Sequence, residues 1–305
     1  MKYDHEVLIV GGSHAGLSAA MGLGRVLRTA LVVDNEAPRN KVSQHANNLI
    51  SQDGIKPDVW RELARKDLDK YKTIQFLNAS VTSAKRVGAY FQAHFSTGET
   101  KTFRKIILAF GVKDNFPSIA GFKELWGSSI FHCPFCHGYE FRNKPLALVG
   151  SGKYVEHMLP MALGLTKDIQ VFTNGDTEIE AALLAMVKKQ KIPLITGRIT
   201  ALNYEADSLK SLVVDEKATY ECDGILLGPV AAVELKSDLG DQLGCEKNEM
   251  GFIKIIEMSK TSVDGVFAAG DITSPMHSVI NAVATGQLAG VRAAAEILNE
   301  DVSVA

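Results

Sequence analysis

The sequence predicts an α/β fold of two Rossmann-like dinucleotide-binding domains, each with three layers built around a parallel sheet that carries a β-meander. The first observation is that an apolar strand, a glycine-rich turn, a helix and a second strand occur twice along the chain. The second is that the last part of the chain adds a strand, an acidic turn and a helix that complete the first copy. We therefore predict a discontinuous first domain of residues 1–114 and 245–305, with residues 115–244 forming the second.

Composition indicates a soluble globular protein. Of 305 residues, 46% are hydrophobic and 22% charged, and the net charge of −2 gives no general attraction to nucleic acid or anionic membranes. No apolar run reaches the ~18 residues of a membrane span, and the N-terminus lacks the basic and apolar regions of a signal peptide. These features predict a cytoplasmic protein, and in that reducing compartment a close cysteine pair is more often catalytic or metal-binding than structural.

The first glycine-rich turn follows a strand at residues 7–10 and precedes a helix predicted to end near Leu27. In the dinucleotide fold such a turn places backbone N–H groups against a pyrophosphate, and an acid after the second strand binds a ribose hydroxyl. Ser13 stands where the second glycine of G-x-G-x-x-G is expected, so a turn without a ligand stays an alternative. The candidate cofactor-binding residues here are Gly11, Gly12, Ser13, Ala15, Gly16 and Asp34.

The rest of the first domain supplies further candidates. A polar loop at residues 38–54 is a candidate to cover a ligand. An aspartate at the end of a buried strand needs hydrogen-bond partners, and the ribityl hydroxyls of a flavin would satisfy Asp271. The remaining elements predicted here are a helix at 57–71, a β-meander at 74–103, a strand at 106–111 and a helix at about 278–298. The additional candidate cofactor-binding residues are Asn40, His45, Gly111, Gly270 and Asp271.

A pair of cysteines, Cys133 and Cys136, lies between the two copies and is followed at once by His137. Two thiols at this spacing can close into a disulfide, and one of them typically has its pKa lowered from roughly 8.5 towards roughly 7. The thiolate is the attacking species in disulfide exchange, so the pair predicts redox chemistry. Three alternatives stay open, namely c-type haem attachment through C-x-x-C-H, a zinc site and a buried inert pair.

The second copy begins with a strand at residues 146–149 and a second turn. We expect a helix that Pro160 kinks or shortens, then a strand at 169–172 and a helix at about 177–191. Gly150 and Gly152 are candidates for a possible second dinucleotide site.

Together these features resemble the low-molecular-weight thioredoxin reductase family, and the resemblance covers nearly the whole chain. It implies an FAD-binding first domain, a second domain that carries the cysteine pair and NADPH, and a homodimer. It also implies that Cys136 faces the flavin, that Cys133 attacks the external disulfide, and that Gly11, Gly16, Asp34 and Asp271 hold FAD.

Two departures from that family bear on function. The family has an arginine-rich run for the 2′-phosphate of NADPH after the second strand of the middle domain, whereas this chain has Thr173-Asn174-Gly175-Asp176. The residue after the second cysteine is an aspartate in the family and His137 here. The string from Cys133 to Glu140 instead resembles fungal dithiol oxidases of the gliotoxin and holomycin type and their bacterial relatives. In that branch His137 would be the general base, because an imidazole has a pKa near 6.5.

The sequence therefore predicts an FAD-dependent thiol–disulfide oxidoreductase acting on a small dithiol or disulfide or on a thioredoxin-like protein, with no metal, and with NAD(P)H use in doubt. The alternatives are an NADPH-dependent thioredoxin-disulfide reductase and a non-catalytic FAD-binding redox sensor.

Overall fold

The computed structural model describes residues 3–150, 152–228 and 233–303, and both strands and helices occur along these ranges. Ser151, in the predicted second turn, lies outside them. The strands are β1 (His5–Val10), β2 (Ala30–Asp34), β3 (Ile74–Asn78), β4 (Val81–Val87), β5 (Tyr90–Phe95), β6 (Thr100–Leu108), β7 (Val112–Asp114), β8 (Ile130–Phe131), β9 (Leu146–Val149), β10 (Ile169–Phe172), β11 (Leu194–Ile195), β12 (Ile199–Glu205), β13 (Ser208–Val214), β14 (Ala218–Glu221), β15 (Gly224–Leu227), β16 (Val233–Leu235) and β17 (Val266–Ala268). The helices are α1 (His14–Gly24), α2 (Pro57–Leu68), α3 (Phe122–Leu125), α4 (Pro134–His137), α5 (Gly152–Leu165), α6 (Ala181–Gln190), α7 (Leu239–Leu243) and α8 (Val279–Ser303).

The chain divides into two units. Unit 1 comprises Met1–Lys41, Pro57–Lys113 and Leu235–Ala305, and unit 2 comprises Val42–Lys56 and Asp114–Glu234. This division differs from the predicted domains at residues 42–56 and 114, which group with unit 2, and at residues 235–244, which group with unit 1. The family resemblance implies FAD in the first domain and NADPH in the second, and both of these placements stay predictions.

Unit 1 contains a parallel sheet in the order β3-β2-β1-β6, with β17 beside the second half of β6. Ile9 of β1 lies between Val32 and Ile107, and all three side chains are fully buried. Strands buried on both faces need such continuous apolar runs, and each buried Val, Leu or Ile contributes roughly 1.5–3 kcal/mol. The antiparallel strands β4 and β5 continue from the first half of β6. The prediction that residues 74–103 form one meander is wrong for β3, which pairs in parallel with β2.

Helices α1 and α8 pack against each other in unit 1 at very short range. A Cβ atom built on Gly286 would lie 2.1 Å from the carbonyl oxygen of Ala15, and one on Gly290 would lie 2.3 Å from that of Ala19. Any larger residue at either position would force the helices apart, so the Ala- and Gly-rich sequence of α8 is required by this contact.

Unit 2 repeats the architecture with a parallel sheet in the order β11-β10-β9-β15-β8. An antiparallel sheet of β12, β13 and β14 contributes buried side chains to the same core as β9 and β15. Helix α5 continues past Pro160 to Leu165, so the expectation that Pro160 shortens the helix is wrong, while the alternative that it kinks the helix stays a prediction. The predicted start of α6 near residue 177 is also wrong, because Glu180 has extended backbone and the helix begins at Ala181.

Among the described residues, we find no helix with the length and apolar character needed to cross a membrane.

Candidate active site and cofactor-binding site

The first glycine-rich turn lies at the carboxyl edge of the parallel sheet in unit 1, where ligands of open α/β sheets bind. Gly11 has a φ of +103°, and a Cβ atom there would lie 2.4 Å from the carbonyl oxygen of Ala109. A Cβ atom on Gly16 would lie 1.8 Å from the carbonyl oxygen of Gly11. These contacts require glycine at both positions, and the turn delivers the chain directly into α1 at His14.

The start of α1 has the chemistry of an anion site. The side chain of Ser13, the residue before the helix, makes no capping hydrogen bond to the helix backbone. The first N–H groups of α1 therefore have no cap from this side chain, and the positive end of the helix dipole is at the same place. Both features favour a phosphate group there.

Two aspartates stand at the same sheet edge. Asp34 ends β2, and a Cβ atom built on Gly12 would lie 2.8 Å from the Asp34 Cβ, so the turn and the acid are in direct contact. Asp271 follows β17, and a Cβ atom on its neighbour Gly270 would lie 3.1 Å from Ala15. Unit 1 thus brings together the predicted turn and both predicted acids.

Arginines, which sequence reasoning did not single out, accompany each of these polar groups. Arg39 lies 3.4 Å from the Asp271 carboxylate and 2.8 Å from His277 Nδ1. Arg65 lies 3.4 Å from the Asp34 carboxylate. The predicted Asn40 accepts a hydrogen bond from Arg61 at 3.4 Å. The only sequence signal for these residues is basic character in the loop and on α2.

Gly111 follows β6 in unit 1, with a φ of +73° and open space beside it. Its carbonyl oxygen accepts a hydrogen bond from the Lys236 N–H at 3.1 Å. This candidate residue therefore leaves room at the sheet edge.

An FAD molecule suits the donor set of unit 1. Glycines allow close backbone approach, the start of α1 offers N–H groups for a pyrophosphate, and Asp34 and Asp271 offer acceptors for hydroxyls. When bound, a flavin accepts an electron pair from a dithiol.

The cysteine pair lies in unit 2 immediately after β8. Cys133 and Cys136 form a disulfide with an S–S distance of 2.17 Å and a Cα–Cα distance of 5.3 Å. Pro134 is at the start of the short helix α4, where its missing N–H is tolerated. The N–H groups of Cys136 and His137 each donate to the Cys133 carbonyl at 3.2 Å, which holds the two sulfurs on one helical turn.

His137 is half-buried and directly follows the second cysteine of the disulfide. Its ring stacks on Phe131 at 6.0 Å, and its Nε2 has no hydrogen-bond partner within the described part of the chain. Burial lowers the pKa of His137, Glu140 partly offsets this, and His45 lowers the pKa further. His137 is consequently neutral near pH 7, as a general base must be.

The loop at residues 42–56 belongs to this site in unit 2 and not to unit 1. Asn47, which sequence reasoning missed, donates from Nδ2 to the Cys136 carbonyl at 2.9 Å. His45, a predicted cofactor-binding residue, is exposed. Its Nδ1–H donates to the Gly54 carbonyl at 3.0 Å, and the residue lies close enough to affect His137. Its predicted role towards the cofactor stays untested.

The second glycine-rich turn has side chains of its own against it. The Tyr154 ring lies 2.7 Å from a Cβ atom built on Gly228 and 3.3 Å from one on Gly150, and its hydroxyl donates to the Leu227 carbonyl at 2.7 Å. The Glu180 carboxylate lies 2.8 Å from a Cβ atom built on Gly152. Burial raises the pKa of the Tyr154 hydroxyl. A ring and a carboxylate therefore lie directly against the glycines of this turn.

The segment after β10 is tied to its own chain. Thr173 Oγ1 donates to the Asp176 carbonyl, and Asn174 Oδ1 accepts from the Ile199 N–H at 2.9 Å. However, the exposed Arg198 approaches within 3.6 Å of a Cβ atom built on Gly175. Sequence reasoning found no arginine in this segment and missed one that folding brings to it.

No group of three or more His, Cys, Asp and Glu side chains in the described ranges is arranged to hold a metal ion. The zinc alternative has no ligand set there.

Two parallel-sheet units with glycine-rich turns and a C-x-x-C disulfide define the class of dinucleotide-binding disulfide oxidoreductases. The chain belongs to the pyridine nucleotide-disulphide oxidoreductase family, whose model matches residues 5–286.

Individual proteins agree with this assignment. Thioredoxin reductase aclD of Aspergillus oryzae is 32% identical over 94% of this chain and 94% of its own. The structure of an oxidoreductase from Agrobacterium tumefaciens is 34% identical with a TM-score of 0.89, covering 98% and 99% of the two chains. The structure of HlmI is 29% identical with a TM-score of 0.92, covering 98% of this chain and 94% of its own. The chain is thus an FAD-dependent, thioredoxin reductase-like disulfide oxidoreductase, and the predicted fold class, enzyme class and cofactor are confirmed.

Proposed function

We propose that this enzyme oxidises a small dithiol to its disulfide and passes the electron pair through the Cys133–Cys136 pair and FAD to oxygen. A substrate thiolate attacks the Cys133 sulfur and releases the Cys136 thiolate. The second substrate thiol then displaces Cys133, so the substrate leaves as a disulfide and two cysteine thiols remain. A bound FAD would take up their electron pair, which would restore the Cys133–Cys136 disulfide, and oxygen would be the final acceptor and leave as hydrogen peroxide.

His137 is the base for this exchange. It follows Cys136 in α4, and its lowered pKa keeps the ring neutral and able to accept a thiol proton. The same imidazolium can return the proton to a leaving thiolate when the mixed disulfide is resolved. Phe135 and Tyr139, which are 69% and 67% exposed, flank these residues in sequence and offer apolar surface to a small organic substrate.

The observation that supports a dithiol rather than NADPH as the electron source is the obstruction of the second glycine-rich turn. A nucleotide there would have to displace the Tyr154 ring from Gly150 and Gly228 and bring its pyrophosphate against the Glu180 carboxylate. Like charges at such range oppose binding. Arg198 offers one cation near Gly175, but it does not relieve the contacts at the turn itself.

Anaerobic stopped-flow reduction of the flavin by dithiothreitol, NADPH and NADH in parallel tests this proposal. We expect dithiothreitol to reduce the flavin faster than either nucleotide, and NADPH to be no better than NADH. Admitting air should then produce hydrogen peroxide in an amount equal to the dithiol oxidised. A reduced thioredoxin added as a fourth reductant separates a protein substrate from a small one.

Rapid bleaching by micromolar NADPH, with slow reduction by every dithiol, would overturn the proposal in favour of an NADPH-driven disulfide reductase. In that case Arg198→Gln should remove the preference for NADPH over NADH, whereas the exposed Arg142→Gln serves as the matched control in unit 2.

We also propose that the enzyme is a homodimer, as the family resemblance implies. Ile280, Leu288, Val291 and Leu298 form an apolar stripe on the exposed side of α8, each between 38% and 46% exposed. A second copy of the chain would cover such a stripe.

Light scattering after gel filtration should give twice the mass of the chain. Leu288→Glu should lower this measured mass, while Leu184→Glu in unit 2 should leave it unchanged. A wild-type mass equal to one chain would contradict the proposed homodimer.

The predicted cytoplasmic location stays a prediction.

A further inference from the structure

His14 is a buried polar residue with an unmet ring nitrogen at the start of α1. Its side chain is only 6% exposed, and its ring packs against that of Trp60 of α2, with a centroid distance of 4.4 Å and an angle of 38° between the ring planes. Nδ1 lies 3.1 Å from Ser13 Oγ, whereas Nε2 has no hydrogen-bond partner among the residues that the structure describes. Burying an unpaired polar atom costs free energy, so a partner from outside the chain would stabilise this arrangement.

The ring of His14 is neutral. Burial, reinforced by the charge of Arg61, lowers the pKa of His14 to about 4. A neutral imidazole carries one ring proton, and if Nδ1 accepts from the Ser13 hydroxyl, that proton is on Nε2. Nε2 can then donate a hydrogen bond to a ligand oxygen without adding a charge to the site.

Arg61, the neighbour of Trp60 on α2, is a half-buried cation. Its guanidinium donates to Asn40 Oδ1 at 3.4 Å, and within the described ranges it has no carboxylate within 4.0 Å. Burial lowers the pKa of Arg61, although Asp58 and Asp34 oppose this. A desolvated guanidinium without a close counter-ion is suited to a phosphate.

Both residues belong to the surroundings of the glycine-rich turn. His14 is part of the turn, the charge of Arg61 acts on His14, and Arg61 in turn feels the charge of Asp34, which touches Gly12. The cluster therefore stands where the turn and the ribose-binding acid would hold the adenosine end of a dinucleotide.

We propose that His14 and Arg61 bind the adenosine diphosphate part of FAD, His14 through Nε2 and Arg61 through its charge. The inference rests on the proposed placement of FAD at Gly11–Gly16. It also explains Ser13, because a serine at this position hinders close phosphate approach but holds the His14 ring. The contacts of His14 and Arg61 then compensate for the close phosphate approach that a glycine at position 13 would have allowed.

Titration of the apo-protein with FAD, followed by flavin fluorescence, measures this directly, and titration with ADP in a calorimeter isolates the adenosine end. His14→Leu and Arg61→Gln should each raise the dissociation constants for FAD and ADP by about tenfold or more, since each removes a polar contact to the ligand. Apo His14→Leu should melt no lower than apo wild type, because the substitution removes an unmet buried nitrogen.

Another buried histidine and another arginine of unit 1 provide matched control variants. His5 is also buried with an unmet ring nitrogen but lies at the opposite end of β1, and Arg25 lies beyond the far end of α1. His5→Leu and Arg25→Gln should leave both dissociation constants within about twofold of wild type.

Gly12→Val separates failure of this inference from failure of the proposed FAD site. If Gly12→Val abolishes FAD and ADP binding while His14→Leu and Arg61→Gln bind both normally, the inference is overturned and the site stands. If Gly12→Val also binds FAD normally, the placement of FAD at the turn is itself wrong.

Discussion

Replacing either cysteine of the pair should lower dithiol-driven flavin reduction by about three orders of magnitude or more, since each half of the mixed-disulfide route needs both sulfurs. Cys133→Ser leaves Cys136, which we expect to be a thiolate that gives long-wavelength charge-transfer absorption with oxidised FAD. Cys136→Ser leaves Cys133 and should not give that band. Absorbance spectra of the purified variants between pH 6 and 9, together with stopped-flow traces, measure both effects.

The two remaining cysteines provide matched controls for this prediction. Cys222 and Cys245 are buried, and burial raises the pKa of both thiols, so neither is a reactive thiolate. Cys222→Ala and Cys245→Ala should therefore retain dithiol-driven flavin reduction. The reverse assignment of the charge-transfer band would show that the implied order of the two thiols is wrong, and full activity in either serine variant would rule out the disulfide route.

The sequence predicted the architecture of both units because the decisive signals are local. Buried parallel strands require continuous apolar runs, and a turn at which an added Cβ atom would lie 2.4 Å from a neighbouring backbone carbonyl requires glycine. Strand β3 was misassigned because a short run with exposed Gln75 resembles a meander strand, and only its pairing with β2 reveals a parallel partner.

The side-chain surroundings of the site could not be predicted, since they arise from contacts between residues far apart in the chain. Arg39 meets Asp271, and Asn47 meets the Cys136 carbonyl, across long separations that no periodicity records. Nothing in the sequence distinguishes Tyr154 from other residues of the predicted helix. Its ring contacts Gly228, which follows strand β15, and this contact depends on how β15 packs beside the helix. Folding likewise brings Arg198 to the turn at Gly175, where local sequence showed no arginine.

The surroundings of His45 could not be predicted either. The polar loop that contains it was a candidate to cover a ligand, and residues 42–56 group with unit 2, where His45 affects the pKa of His137. Its role towards the cofactor stays a prediction.

His137→Gln should lower the rate of dithiol-driven flavin reduction at pH 7 by about 10²–10⁴-fold, the usual contribution of a positioned general base. Because burial, aided by His45, lowers the pKa of His137, the wild-type ring stays neutral to below the ordinary value of about 6.5. The wild-type rate should therefore be independent of His137 titration above neutral pH and fall only on the acid side of that value. In His137→Gln the base is gone, so the rate should keep rising with pH towards the ordinary thiol pKa of roughly 8.5.

Variants of two other histidines of unit 2 test whether the pH dependence of flavin reduction reports His137. His45→Gln removes the electrostatic interaction by which His45 lowers the pKa of His137, so the pKa of His137 should rise and the acid limb of the profile should move to higher pH without a loss of rate at pH 8. The exposed His157 on α5 is remote in sequence from the cysteine pair, and His157→Gln should leave the whole profile unchanged. A His137→Gln enzyme with the wild-type rate at pH 7 and an unchanged acid limb would mean that His137 holds the turn after Cys136 but takes no proton.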